Sequence, residues 1–392
     1  MIKIGTLFSG GLAACEWAFK YEEIEHEIVF ACEWDKFARQ QYLAFHGEPS
    51  SNFYVDVSDM DGTPYRDSID LMVWGSPCQD LSLAGKRKGF DGAKSSLFRE
   101  GARIMSEVMP KVFIFENVKG LLSSNGGADY KEVEKTFRDF GYHMAMKVVN
   151  AKEQGTAQNR ERVFIVGFLD ADSYHSFSFA DAIPLTKTLK DYLEDFVDEK
   201  YYLSDKMIAG FISHKEKHQK KGNGFAFVPK EDEDIANCLS TKNGSRPTDN
   251  FIKEPILIQA GKLDIKGNDF IKRVYNIDGI CPTMTTMSGG NRQPKILDFT
   301  NSFGENKTRE YSDVCPTLRS EKSGLSVDNG FRIRRLTPKE CFRLMGMRNE
   351  DIILVNSDSQ SYKIAGNGIE INTMRSILRQ LYKPVKKVGS LF

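Results

Sequence analysis

Four side chains in this sequence combine the types and placements that nucleophilic chemistry with proton transfer and charge stabilisation would need. Cys78 follows the apolar run 71–74 after only Gly75, Ser76 and Pro77. Apolar on every position, that run reads as a strand buried on both faces. Gly75 and Pro77 cannot prolong a central strand, so the thiol falls at its carboxyl end, the edge where open α/β sheets bind ligands. Glu116 ends the run that begins at Val112 and places a carboxylate at the same kind of edge, poised for proton transfer. Arg160 and Arg162 precede the run 163–167; two apart on an extended chain, they are expected to point the same way. A thiolate nucleophile, an acid and a guanidinium make up a nucleophilic site with charge stabilisation.

The elements that must position these groups follow from periodicity. Apolar runs at 2–7, 27–31, 53–57, 71–74, 112–115, 144–149 and 163–167 alternate with amphipathic stretches. Leu12, Cys15 and Phe19 share one helical face, and Phe37, Tyr42 and Phe45 share another. Such alternation predicts an α/β fold with a doubly wound, mostly parallel sheet and right-handed crossovers. Phe8-Ser9-Gly10-Gly11 closes the first strand and suits close backbone approach to a ligand. Glu33 lies 22 residues beyond Gly11, near the spacing of about 20 that serves ribose hydroxyls. Leu12, Ala13 and Ala14 break a full GxGxxG, which weighs against NAD and FAD.

Beyond residue 170 the rhythm breaks into Lys, Asn, Gly, Ser and Thr. Asn237-Cys238-Leu239-Ser240-Thr241, Ile280-Cys281-Pro282-Thr283 and Val314-Cys315-Pro316-Thr317 form a weak repeat with spacings of 43 and 34 residues, too uneven for a solenoid. A second, smaller, loop- and β-rich domain fits, whose Thr and Arg beside glycine turns suit phosphate or base-edge contacts as well as plain solvated turns. Residues 332–347 are expected to return to helix, with Thr337 as cap, Pro338 at the first position and Glu340 three residues on. A last helix carries Ile371, Met374, Leu378 and Leu381 on one face and should dock on the first domain's sheet.

Bulk properties narrow the classes. The 392 residues suit about two domains, and 40% apolar with 28% charged content is ordinary for a globular chain. No apolar run approaches a membrane span, and no signal-peptide layout opens the chain; the expectation is a cytoplasmic protein with no membrane partner. Seven scattered cysteines without a CxxC pair argue against disulfides and zinc. His214 and His218 are read as part of a solvated basic helix rather than a metal site. Zero net charge leaves nucleic-acid binding to local basic patches.

Pro77-Cys78-Gln79, the loop Ser82, Ala84-Gly85-Lys86-Arg87, Leu97-Phe98, Glu116-Asn117-Val118, Gln158-Asn159-Arg160-Glu161-Arg162 and Gly366-Asn367-Gly368 recur in the order seen in cytosine carbon-5 DNA methyltransferases of the bacterial and phage type, a family this chain resembles over 1–168 and 330–375. The resemblance implies a Rossmann-like methyltransferase domain using S-adenosylmethionine, with S-adenosylhomocysteine as product and no metal. It implies a catalytic domain at 1–170, a target-recognition domain at 171–345 and a C-terminal segment, 346–392, returning to the first. It assigns Cys78 as nucleophile toward carbon 6 and Glu116 to ring nitrogen 3 and the exocyclic amine. Arg162 goes to the cytosine carbonyl, with Arg160 as support or phosphate contact.

Cofactor contacts implied are Phe8, Gly10, Gly11, Glu33, Trp34 against the adenine, Asp56 toward its amino group, Pro77 and Leu97. Asn367 and Gly368 would meet the methionine end. Gln79, Ser82, Lys86, Arg87 and Lys88 are expected to meet double-stranded DNA, the loop 82–90 closing on a flipped base. Asp80-Leu81 and Gly368-Ile369 depart from the commoner family residues. A monomer is the default, and a cognate restriction endonuclease or solitary methylase role is implied by resemblance only. Rival readings are an RNA cytosine methyltransferase, whose Cys-Phe-Thr signature is missing here, a DNA-binding regulator with a silent site, and a thiol hydrolase, which lacks a placed histidine.

Overall fold

The computed structural model describes residues 1–76, 96–220, 222, 226–255, 259–262, 273–276, 295–297 and 331–382. They fall into two compact units, the first from 1–196, 233–250 and 336–392, the second from 197–232 and 251–335.

The first unit is built on strands β1 (Ile2–Leu7), β2 (His26–Cys32), β3 (Asn52–Tyr54), β4 (Leu71–Trp74), β5 (Val112–Val118), β6 (His143–Asn150) and β8 (Glu161–Phe168), the two-residue β7 (Gln158–Asn159) coming between the last two. They line up as β3-β2-β1-β4-β5-β8-β6. The first five are mutually parallel, and β8 runs antiparallel between β5 and β6. The connection between β6 and β8 is too short for a crossover helix, so the chain reverses there. Helices α1 (Ala14–Tyr21), α2 (Lys36–His46), α3 (Ser96–Val108), α4 (Ala128–Asp139) and α5 (Ala171–Ser176) join the strands or follow them.

Two apolar layers hold the sheet. On one face Trp74, Phe98, Phe113, Phe115 and Phe137 pack with α3 and α4, Trp74 and Phe115 meeting edge to face at 4.7 Å. On the other, Phe19, Phe164 and Phe168 pack with the last helix. Each such buried side chain contributes about 1.5–3 kcal/mol. The mostly parallel, doubly wound sheet expected from periodicity is therefore the observed one.

Two local expectations are corrected. The run 53–57 stops at Tyr54, because Asp56 Oδ1 accepts from the Ser58 amide at 2.9 Å and caps a 3₁₀ turn. Residues 332–335 are strand, not helix: after β9 (Ala236–Asn237), the second unit holds β10 (Phe251–Pro255), β11 (Gln259–Lys262), β12 (Arg273–Asn276), β13 (Lys295–Leu297) and β14 (Phe331–Arg335). Strands β10 and β14 pair antiparallel, so the alternating Arg332, Ile333, Arg334 is a strand pattern, its two arginines paired with Glu199 and Glu254. That unit also carries α6 (Asp205–Gln219), where the rings of His214 and His218 stack at 4.2 Å.

Helix starts where expected at α7 (Pro338–Leu344): Thr337 Oγ1 accepts from the Glu340 amide at 3.2 Å, and Glu340 Oε2 accepts from the Thr337 amide at 2.8 Å. Then come α8 (Asp358–Asn367) and α9 (Ile371–Leu381). Ile371, Met374, Ile377 and Leu378 are buried, and α9 lies against α1. The first unit takes in more chain than 1–170 and 346–392, because 171–196, 233–250 and 336–345 pack with it.

Candidate active site

Strand order alone sets most of the site. The carboxyl ends of β3, β2, β1, β4 and β5 and the start of antiparallel β8 lie along one edge in adjacent lanes. Neighbouring strands are about 4.8 Å apart. Asp56, Glu33 with Trp34, the loop 8–13, Gly75, Glu116 and Arg162 therefore stand in a row, in that order.

At the β1 end the backbone turns sharply. Phe8, Gly10 and Ala13 take positive φ of 52°, 66° and 50°, and no side chain caps the first turn of α1. Glu33 is locked by backbone donors: Oε2 accepts from the Gly10 amide at 2.9 Å and Oε1 from the Asp35 amide at 2.8 Å. Burial raises its pKa, against the pull of those two amides. Asp35 then caps α2, accepting from the Phe37 and Ala38 amides at 2.8 and 3.1 Å, and Lys363 pairs with it. Between these two fixed carboxylates Trp34 is left 74% exposed, a large aromatic face without burial of its own. Leu97 and Phe8 are half-buried against the first apolar layer.

This donor set fits S-adenosylmethionine: a rigid carboxylate for ribose hydroxyls, an open ring for an adenine, Asp56 for its amine and an uncapped helix start for a carboxylate. Among the described residues no group of three or more His, Cys, Asp or Glu is arranged to hold a metal.

On the other side of β1, Gly75 follows Trp74, the register partner of Phe115, and so abuts Glu116. A Cβ at Gly75 would stand 2.8 Å from the Glu116 carbonyl oxygen and 3.1 Å from Oε2; glycine is needed for the two strand ends to approach. Glu116 Oε1 lies 3.1 Å from Arg162 Nε. Burial pushes the Glu116 carboxyl up, opposed by Arg162 and Arg160. Acid and guanidinium thus lie together at this strand edge.

Arg160 and Arg162 do not share one role. Arg162 meets Glu116, whereas Arg160 is 2% exposed and donates to the carbonyls of Gly366 and Gly368 at 3.2 and 2.5 Å. It is no phosphate contact. Asn367 is exposed and Gly368 buried. Pro77, Cys78, Gln79, Ser82, Lys86, Arg87 and Lys88 lie outside the described residues.

Two neighbours were not expected. Cys238 Sγ accepts from Arg160 Nη1 at 3.3 Å and from Arg162 Nη2 at 3.8 Å. Protein crowding around the sulfur would raise its pKa, but the two guanidiniums win and hold the thiol below its ordinary range. Buried Gln158 donates to the Leu344 carbonyl at 2.7 Å and accepts from the Leu239 amide at 3.2 Å. No local signal marked either contact: Cys238 lies in the first copy of the weak repeat, about 80 residues along the chain from Gln158 and Arg160.

A family model described as C-5 cytosine-specific DNA methylase matches residues 2–383. The orphan methyltransferase M.SPRI of Bacillus phage SPR is 30% identical, with 97% of each chain covered. The type II methyltransferase M.HpaII of Haemophilus parainfluenzae is also 30% identical, over 93% of this chain and 85% of its own. In fold, the chain resembles the crystal structure of the S. pombe Dnmt2 methyltransferase with a TM-score of 0.62 at 16% identity, covering 98% of this chain and 100% of that one. With nearly its whole length matched and the acid–guanidinium pair in place, this chain belongs to the C-5 cytosine-specific DNA methylases and is a DNA cytosine-5-methyltransferase.

Proposed function

We propose that the chain methylates carbon 5 of a cytosine flipped out of a specific double-stranded DNA sequence, with S-adenosylmethionine as methyl source and Cys78 as transient nucleophile. The row of strand ends supports this reading: the loop 8–13 with Glu33 and Trp34 stands in the same row as the Glu116–Arg162 pair. Gly75, pressed on Glu116, leaves only two residues before Cys78.

The cofactor, held by Glu33, Trp34, Asp56 and the loop 8–13, supplies a sulfonium-activated methyl group. Everything else falls to the chain. Carbon 5 of cytosine is a poor nucleophile, and a stacked base is out of reach of any side chain, so the base must leave the duplex. The Cys78 thiolate adds to carbon 6, forming an S–C bond while the 5,6 double bond's electrons move onto the ring. Glu116 faces ring nitrogen 3 and the amine. Burial raises its pKa, which eases uptake of a proton that the carboxyl can donate to the nitrogen while accepting from the amine. Arg162 donates to the carbonyl oxygen, where charge develops. After carbon 5 is methylated, loss of its proton and cleavage of the Cys78–carbon 6 bond restore the aromatic ring and the thiolate.

The second unit, which carries the lysine- and histidine-bearing α6, is assigned to target recognition. In this reading the enzyme acts as a cytoplasmic monomer, solitary or paired with a restriction endonuclease.

Cys78→Ser should abolish methyl transfer while cofactor and duplex binding persist, and duplex carrying 5-fluorocytosine should trap a covalent adduct on Cys78. Near-normal turnover by Cys78→Ser, or no adduct under single-turnover conditions, would remove the residue from the mechanism. Bisulfite sequencing of plasmid from expressing cells identifies the target sequence, and a parallel assay on total tRNA tests the RNA alternative.

A further inference from the structure

Arg160 is a buried guanidinium whose hydrogen bonds go to two carbonyls and a sulfur. Burying such a group costs several kcal/mol and is a weak source of stability, so its placement calls for another explanation. Its main chain is pinned at the end of β6: the Arg160 amide donates to Asn150 Oδ1 at 3.0 Å, and its carbonyl accepts from the Ala151 amide at 3.0 Å. From that fixed point, Nη2 reaches Gly366 and Gly368, while Nη1 reaches Cys238, which also touches Arg162.

The 366–368 turn continues the contact toward the cofactor lane. A Cβ on Gly368 would stand 2.6 Å from Leu12 Cδ2, and one on Gly366 would stand 2.7 Å from the Ser240 backbone. A Cβ on Gly11 would meet Ile364 of α8 at 3.0 Å. Leu12 and Gly11 belong to the loop whose Gly10 amide holds Glu33. An unbroken run of contacts therefore leads from Arg162 through Cys238 and Arg160 to the turn, the loop and Glu33.

We propose that Arg160 is a positioning residue for methyl transfer, its forked guanidinium setting the cofactor loop, through the 366–368 turn, at a fixed distance from the base-holding Arg162. This rests on the proposed roles of Glu33 and Arg162. Arginine suits the task because five donors in a rigid fork satisfy three acceptors at once, whereas a lysine is a single flexible point charge. Displacing reacting groups by about 1 Å costs about 100-fold in rate.

Steady-state kinetics and thermal melting of Arg160→Lys test it. The variant keeps the charge and should fold. Its kcat per folded molecule should fall about 100-fold and its KM for S-adenosylmethionine should rise about tenfold, duplex affinity staying within threefold. Both constants within threefold of the parent, or an activity loss explained by the unfolded fraction, would overturn the proposal. Gly368→Ala perturbs the same turn from the Leu12 side and should raise the cofactor KM while Arg160 is untouched. If Arg160→Lys does not fold, an unchanged KM in Gly368→Ala overturns the idea. Arg162→Ala separates the layers: retained turnover there refutes the base-site reading itself, whereas lost turnover beside a normal Arg160→Lys refutes only the coupling.

Discussion

The two halves of the catalytic edge are built by opposite means. On the β1–β3 side the carboxylate Glu33 is held by main-chain amides, and the neighbouring Trp34 stands open. On the β5–β8 side the carboxylate, Glu116, is held by a guanidinium, and a second guanidinium with a thiol lies behind it. Burial raises both carboxyls. A group bound by rigid amides offers fixed geometry for recognition, whereas one bound by an opposite charge sits where a small change in protonation alters the field. In the proposed mechanism the first design serves binding and the second serves chemistry.

Substitutions at the two carboxylates sharpen that contrast, and the larger effect belongs to the base side. Glu116→Gln keeps a donor and an acceptor but cannot share a proton. Its kcat should fall by about 100-fold or more with the cofactor KM little changed. Because the Glu116 pKa is raised, the useful protonated form is lost as pH rises. The parent should therefore show a declining alkaline limb in kcat, and Glu116→Gln should lack it; an identical pH profile in both would exclude Glu116 as the proton-bearing group. Glu33→Ala should do the reverse. Losing hydrogen bonds to a charged group is worth about 1.5–3 kcal/mol, so the cofactor KM should rise about 10- to 100-fold while kcat at saturation holds within a few-fold. A fall in kcat with KM unchanged would break the division of labour between the halves.

How much of this was legible beforehand depended on sequence distance. Glu33, Gly10, Glu116 and Arg162 lie at strand ends, and apolar periodicity finds strand ends; the strand order that lines them up, with β8 inserted antiparallel, was not readable from periodicity. The Thr337–Glu340 cap was readable for the same local reason. Arg160 was not. Alternation placed it beside Arg162, but it precedes β8, where the strand rule does not act, and its partners lie about 80 and 200 residues away in sequence. Cys238 packs with the first unit through Gln158 and Leu239, a long-range contact that a weak repeat cannot announce. The arginine-rich 332–335 looked helical because it leads into a true helix, yet its partner strand 251–255 made it an edge of a two-stranded sheet.

The smallest expected effect lies away from both halves, on α1 just behind the cofactor loop. Glu16 is 3% exposed, accepts from the Tyr42 hydroxyl at 2.9 Å, and is pushed by burial from 4.5 to about 7. Nearby His46 is driven down to about 3 by its own burial, so it stays neutral and offers no counter-charge. An acid whose folded pKa is raised binds more protons in the folded than in the unfolded chain between those two values. Stability must therefore fall as pH climbs from 4.5 to 7 and remain lower above, by about 3 kcal/mol in the full span. Glu16→Gln removes the titration while keeping the Tyr42 contact. Its melting temperature should match the parent's near pH 5 and exceed it by a few degrees at pH 8, at about 2 °C per kcal/mol for a chain of this size, with kcat unchanged at either pH. Equal destabilisation at both pH values would mean that Glu16 is ionised in the fold and that its hydrogen bonds, not its proton, matter there.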